Sequence, residues 1–302
     1  MGARARAVVG SAPVRASVVV VNWNAGTALL ECLASLEAEG TGVRETILVD
    51  NASGDGSLAA ARARAPWARV IETGANLGFA QGANRGAAAA SGDVLVFLNP
   101  DACVLPGAVG ALAQALLAVP AAGVAGGGLV DPRGRWQPAA ARFGPVRHLL
   151  LDTTLGRLAS RRRRRPYAVD WVYGTFMAVR RDLFLQLHGF DPAYFCYGED
   201  MDLCHRAARL GARTICVPAA RAIHGGSPSA RRRFGDGREA AVVQGELRFY
   251  ARRGRPSELL AFRTLAAAKF GSKAALAAVL GRATTAATYG RVVRACLAPL
   301  PA

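Results

Sequence analysis

SVVVVN (Ser17–Asn22), TILVD (Thr46–Asp50), RVIE (Arg69–Glu72) and DVLVFL (Asp93–Leu98) are four short, mostly apolar runs rich in β-branched side chains. Their length and composition read as buried strands. Between them lie stretches with helical spacing: Thr27–Glu39 puts Leu29, Leu30, Leu33 and Leu36 on one face, and Ser57–Ala65 and the alanine-rich Phe79–Ala90 follow. Short strands alternating with helices predict a mostly parallel sheet covered by helices, the doubly wound, Rossmann-like α/β arrangement.

Beyond Asn99 the alternation loosens. Pro106–Val119 reads as a helix, Gly123–Val130 as a strand, and the turn Asp131–Gly134 leads into Arg135–Ala139. Arg142–Ala168, which carries the run Arg161–Arg165, reads as a basic loop. Trp171–Val179 is expected as one strand, Asp182–Leu187 and Asp200–Leu210 as helices, and Arg213–Val217 as a strand after the stop at Gly211. Residues 1–252 form this domain. From 253 to 302 the composition turns to Ala, Leu, Arg and Lys, which predicts amphipathic basic helices divided at Gly271, Gly281 and Gly290.

At 302 residues and 52% hydrophobic the chain is long enough for one large domain and too apolar for disorder. Its 38 basic against 21 acidic residues give a net charge of +17, and only Lys269 and Lys273 are lysines. Such a field attracts polyanions: nucleic acid, anionic lipid and phosphorylated substrates all fit. The six cysteines form no CxxC pair and are expected as reduced thiols. Met1–Arg15 lacks an apolar signal core and no run of about 18 apolar residues occurs, so a cytoplasmic location without a spanning helix is expected.

In a doubly wound sheet, ligands bind at the carboxyl ends of the strands. Here those ends are polar: Asn22-Trp23-Asn24, Asp50-Asn51 and Asn99-Pro100-Asp101. Asp50 can accept from a ribose hydroxyl or a pyrimidine N–H, and serves equally well as a turn or cap residue. Asp101 suits Mg²⁺ or Mn²⁺ beside a diphosphate, or an ordinary turn. No G-x-G-x-x-G follows the first strand and no Walker A sequence occurs, which counts against dinucleotide enzymes and P-loop NTPases. Glu199, Asp200 and Asp202 cluster at a helix start, where the positive dipole lets a carboxylate stay ionised as a general base. The same acids can cap the helix, with Asp202 pairing to Arg206. His224 before Gly225-Gly226, like His148, His188 and His205, reads on its own as structural.

The order VVVVNWN, ILVDNASGDGS, NLGFAQGANRG, GDVLVFLNPD, WVYGTFMAVRR, GFDPAYFCYGEDMDLCHR and IHGGSPS resembles the family 2 glycosyltransferases of GT-A fold, most closely their rhamnosyltransferase-like branch. The likeness spans about Ser17 to Tyr250. It implies an inverting transfer of a sugar, rhamnose favoured over UDP-hexoses, from a nucleoside-diphosphate donor to a glycan or lipid-linked saccharide in cell-envelope synthesis. By the same resemblance Asn22, Asp50, Asn51, Asn76, Phe79, Asn84 and Asn99 would bind the donor nucleotide, and Asp101 with His224 a divalent metal, Mg²⁺ or Mn²⁺. Asp200 would be the catalytic base, with Glu199 positioning the acceptor and Trp171 and Gly174 shaping its pocket. Two features depart from the pattern. Asn99 replaces the first carboxylate of the Asp-x-Asp signature, and no Gln-x-x-Arg-Trp follows the base, which argues against a processive synthase.

The arginine run reads as a solvated loop, a nucleic-acid patch or a clamp for a phosphorylated carrier. With Arg231–Arg233 and the basic C-terminal helices it predicts peripheral docking on the anionic cytoplasmic face of the membrane. A nucleotidyltransferase is an alternative, but Asn22–Gly26 lacks its glycine-rich basic signature. A nucleic-acid-binding protein is supported only by charge, without a stacking motif.

Overall fold

The computed structural model describes residues 15–146, 149, 163–225 and 237–299. His148, Arg161 and Arg231–Arg233 lie outside the described residues.

Strands β1 (Ala16–Asn22), β2 (Val43–Asp50), β3 (Arg69–Glu72) and β4 (Val94–Leu98) pair in parallel in the order β3-β2-β1-β4. Helices α1 (Thr27–Glu37), α2 (Ser57–Arg64) and α3 (Gly78–Ala89) connect them. Val19 and Val21 of β1 point into the core on one face of the sheet, and Val18 and Val20 into the core on the other. This period of two is why β1 reads as an unbroken apolar run. α3 lies close on β1 because its packing face is glycine and alanine. A Cβ at Gly86 would come within 2.4 Å of Val19 Cγ1, and one at Gly82 within 2.9 Å of Val21 Cγ1.

After β4 the chain forms β5 (Ala102–Val104), α4 (Ala108–Ala118), β6 (Ala122–Val130), β7 (Trp136–Gln137) and β8 (Ala140–Ala141). Next come β9 (Tyr167–Val169), β10 (Trp171–Val172), β11 (Phe176–Arg180), α5 (Arg181–Gln186), α6 (Glu199–Arg209) and β12 (Arg213–His224). The sheet continues β4-β11-β6-β12-β5; β11 is antiparallel to β4 and β6, and β12 is parallel to β6. The carboxyl ends of β1, β2, β4, β6 and β12 therefore share one edge, where β11 and β5 begin.

Several expectations are corrected. Trp171–Val179 is two strands: β10 pairs with β8 in a separate small sheet, and Tyr173-Gly174-Thr175 breaks the run before β11. β12 extends seven residues past Val217, because a shift in pairing between Val217 and Arg221 lets it resume alongside β6 and then β5. The basic loop is not wholly irregular, since β9 pairs with β12 and Arg163 lies over the Tyr167 ring.

The C-terminal helices are α7 (Arg238–Arg252), α8 (Pro256–Val279) and α9 (Ala283–Leu297). Gly281 divides α8 from α9, but Gly271 and Gly290 sit inside helices. Packing decides this: Phe262, Ala266, Phe270, Val292 and Cys296 are buried with Phe249 and Tyr250 of α7 in the core on the α3 face of the sheet. Such burial outweighs the roughly 1 kcal/mol that an interior glycine costs. All six cysteines are free. Among the described residues no helix is long and apolar enough to cross a membrane.

Candidate active site

At the β1–β2 end, Asn22 and Asp50 stand in register. The Asn22 amide nitrogen is within 3.0 Å of Asp50 Oδ1, Ser53 Oγ and Ser57 Oγ, and Asp50 Oδ2 accepts the Ser53 N–H at 2.9 Å. Both residues are at most 1% exposed. They form the floor beneath two braced loops: the Gly54 N–H donates to Asn24 Oδ1, and the Gly26 N–H to Asp55 Oδ2. Asn51 donates to the Gly78 carbonyl at 2.9 Å and accepts from Thr73, so it ties the 73–78 loop to the head of α3. Asn76 accepts the Gly78 N–H, shaping the same loop.

Asn84 is not brought to this edge. It lies six residues past the start of α3, about 9 Å along the helix axis, and its amide clamps both the N–H and the carbonyl of Phe190, at 2.8 and 2.7 Å. Asn84, expected from the resemblance at the nucleotide, holds the Gly189-Phe190 turn.

Asn99-Pro100-Asp101 crosses from β4 to β5, and β5 pairs antiparallel with the end of β12, His224 opposite Ala102. This crossing brings Asp101 Oδ2 to 3.3 Å from His224 Nε2, with both side chains largely buried. Gln137 fixes the ring. Its amide nitrogen donates to the His224 carbonyl at 3.0 Å, so its Oε1 must be the atom 3.1 Å from Nδ1. An acceptor there draws the proton to Nδ1 and leaves a lone pair on Nε2 in the neutral ring. That lone pair faces a carboxylate oxygen, and neither atom has a hydrogen-bond partner. Two buried acceptors turned on each other suit a shared cation, and an oriented His beside a carboxylate suits a divalent one. Among the described residues no group of three or more His, Cys, Asp or Glu forms a complete ligand cage.

The Asn99 N–H donates to the Thr175 carbonyl at 3.0 Å, which joins this centre to the next. In the Tyr173–Thr175 break, the Gly174 N–H donates to Asp200 Oδ2 at 2.9 Å, and the Met201 N–H to Oδ1 at 2.8 Å. A Cβ on Gly174 would lie 3.7 Å from Asp200 Oδ2 and 3.8 Å from the Phe79 ring, so these residues share one wall. Trp171 is buried, packs against Tyr173 at 4.6 Å between ring centroids, and backs that wall rather than lining it. Gly198 is the N-cap residue of α6, at φ +90°, and of the two acids expected to cap the helix Asp200 does so from within the first turn, through the Met201 N–H. A Cβ on Gly198 would come within 2.7 Å of the Gly245 carbonyl, so α7 presses directly on the turn that presents the acids. The Asp202–Arg206 pair forms as expected at 2.6 Å, and Arg206 also holds the Leu187 and Gly189 carbonyls.

The family profile described as glycosyl transferase family 2 matches residues 17–187. A rhamnosyltransferase of Mycobacterium tuberculosis, N-acetylglucosaminyl-diphospho-decaprenol L-rhamnosyltransferase, is 34% identical over 231 residues, covering 68% of this chain and 75% of its own. The chain belongs to glycosyl transferase family 2. Rhamnosyltransferase WbbL of Escherichia coli is 52% identical over 56 residues, 18% of this chain and 21% of its own. Among solved structures, a mannosyltransferase of Pyrobaculum calidifontis in complex with GDP-Man and Mn²⁺ superposes with TM-score 0.61 at 21% identity, covering 95% of this chain and 89% of its own. GalNAc-T7 with UDP, GalNAc and Mn²⁺ superposes with TM-score 0.53 at 18% identity, covering 70% and 43%. The fold is that of the GT-A glycosyltransferases, and the protein is a glycosyltransferase.

Two adjacent acids in this glycosyltransferase carry different proton loads. Burial, then the Asp200 charge, raises the Glu199 carboxyl to about 8. Burial also raises Asp200, to about 6, against the opposing pull of the Gly174 and Met201 N–H groups. Near neutrality Glu199 keeps the proton and Asp200 is the ionised member. The folded pKa of Glu199 lies above its unfolded value, so the fold holds the extra proton and stability falls as pH rises from about 4.5 to about 8. Glu199→Gln keeps the shape without the titration. Its melting temperature relative to wild type is expected to rise by at least about 3 °C between pH 5 and pH 9; a pH-independent difference would contradict the assignment.

Proposed function

We propose that this glycosyltransferase moves L-rhamnose, with inversion, from a nucleoside-diphosphate donor to a hydroxyl of a lipid-linked saccharide. The observation that carries the reading is the Asp200 carboxylate held by two backbone N–H groups, one from the Tyr173–Thr175 break that bonds to Asn99 at the strand edge bearing Asp101 and His224. Asp200 takes the proton from the acceptor hydroxyl as its oxygen attacks the anomeric carbon from the face opposite the departing diphosphate. Neutral Glu199 beside it positions the acceptor and spares Asp200 a second negative neighbour. The nucleotide lies over the floor made by Asn22, Asp50 and Asn51, between the 22–26, 51–57 and 73–79 loops, with Phe79 and Asn99 at its inner end.

Asp101 and His224 would hold a divalent cation, Mg²⁺ or Mn²⁺, which supplies charge neutralisation for the leaving diphosphate. The Mn²⁺ in both structural neighbours supports this reading. Gln137→Ala frees the imidazole, and Mn²⁺ affinity measured by calorimetry is expected to fall about 10-fold or more. Unchanged affinity would remove Gln137 from the site.

The named substrate of the mycobacterial relative supports a polyisoprenyl-diphosphate acceptor and hence work at the cytoplasmic face of the membrane. Release of nucleoside diphosphate, assayed across a panel of nucleotide sugars with a synthetic glycolipid acceptor, tests the donor and acceptor together. Selective, acceptor-dependent turnover of dTDP-rhamnose is expected; turnover of a UDP-hexose in its place would overturn the rhamnose reading.

A further inference from the structure

We infer that the tip of the α8–α9 hairpin is the surface by which the protein docks on an anionic lipid bilayer. This goes beyond the lipid-linked acceptor proposed above and rests on it only for its biological purpose. Leu276, Val279 and Leu280 are 60, 83 and 56% exposed. Their i, i+3, i+4 spacing sets them on one face of the last turn of α8. The residues that follow, through Thr285, are also exposed, so the tip stands clear of the core that holds Phe262, Phe270 and Val292.

Large apolar side chains so grouped on a water-facing tip mark a contact surface. The charge around them selects its occupant. Lys273 and Arg282, both exposed, flank the stripe, and Glu258 is the one acid in the sequence from Arg253 onward, against eight Lys and Arg. A second copy of the chain would bring like-charged collars together. Nucleic acid would meet the cations but leave the leucines in water. A bilayer with anionic headgroups satisfies both: Leu276, Val279 and Leu280 enter the headgroup–acyl boundary while Lys273 and Arg282 stay at the phosphates.

The full-length chain is sedimented with phosphatidylcholine vesicles, with and without phosphatidylglycerol, at low and high salt. Wild type is expected to bind the anionic vesicles, less at high salt and little to phosphatidylcholine alone. The double variant Val279→Asp, Leu280→Asp lies on exposed positions and is expected to keep its melting temperature and its transfer to a water-soluble acceptor analogue. Its vesicle partitioning should fall about 10-fold or more. If the variant binds as wild type does, docking lies elsewhere and this inference is overturned while membrane contact stands. A wild type that ignores anionic vesicles overturns both. Light scattering that finds a dimer abolished by the variant, without vesicle binding, assigns the tip to a second copy instead. Vesicle binding without transfer to a lipid-linked saccharide leaves this inference standing and removes the acceptor reading.

Discussion

Asp200→Asn is expected to lower kcat about 10³-fold or more while leaving donor affinity within about 2-fold of wild type. The loss has two physical sources. The amide cannot take the acceptor proton. It also turns one of two oxygens, each receiving a backbone N–H from Gly174 or Met201, into a nitrogen that faces a donor. The second effect predicts a melting temperature lowered by a few degrees, and unchanged donor binding by calorimetry separates it from unfolding. In wild type, kcat/KM should rise with pH through about 6 as Asp200 ionises. Turnover retained in the Asn variant would remove Asp200 from the reaction.

The second large effect is expected at the other end of the site. Asp101→Ala and His224→Ala each remove one of two buried acceptors 3.3 Å apart. Each should lower kcat/KM about 10²-fold or more and weaken Mn²⁺ binding in parallel. Either deletion also relieves the facing lone pairs, so the metal-free variants should melt no lower than wild type, whereas the Mn²⁺-induced rise in melting temperature should vanish. A variant that keeps this rise would show that the cation binds elsewhere.

The parallel half of the fold was legible because β1 to β4 are short runs with apolar centres that end in, or lead directly into, a polar residue (Asn22, Asp50, Glu72 and Asn99), and strand and helix limits agree with the sequence reading to within a few residues. Legibility failed where long-range pairing sets the structure. β5 pairs with the end of β12 across 120 residues, and nothing local to Arg213–Val217 signals that the strand resumes after its bulge. Gln137 was missed for the same reason, since it sits on a two-residue strand and its partner is 87 positions away. The apolar run Trp171–Val179 hid the break at Gly174, the feature that aims Asp200. Asp101, His224, Glu199 and Asp200 stand out in the sequence because acids and a histidine in a known order carry their chemistry with them. Asn51 and Asn84 came from the same motifs, yet their amides bind backbone, because an asparagine tethers a loop as well as it meets a ligand.

The central claim is that Asp200 moves a proton and never bonds to the sugar. The anomeric configuration of the product, read by NMR from a reaction with a donor of defined anomer, tests it most directly. A product of opposite configuration to the donor is predicted; a product of retained configuration would contradict the account, since it requires a covalent or front-face route that a proton-accepting carboxylate does not provide.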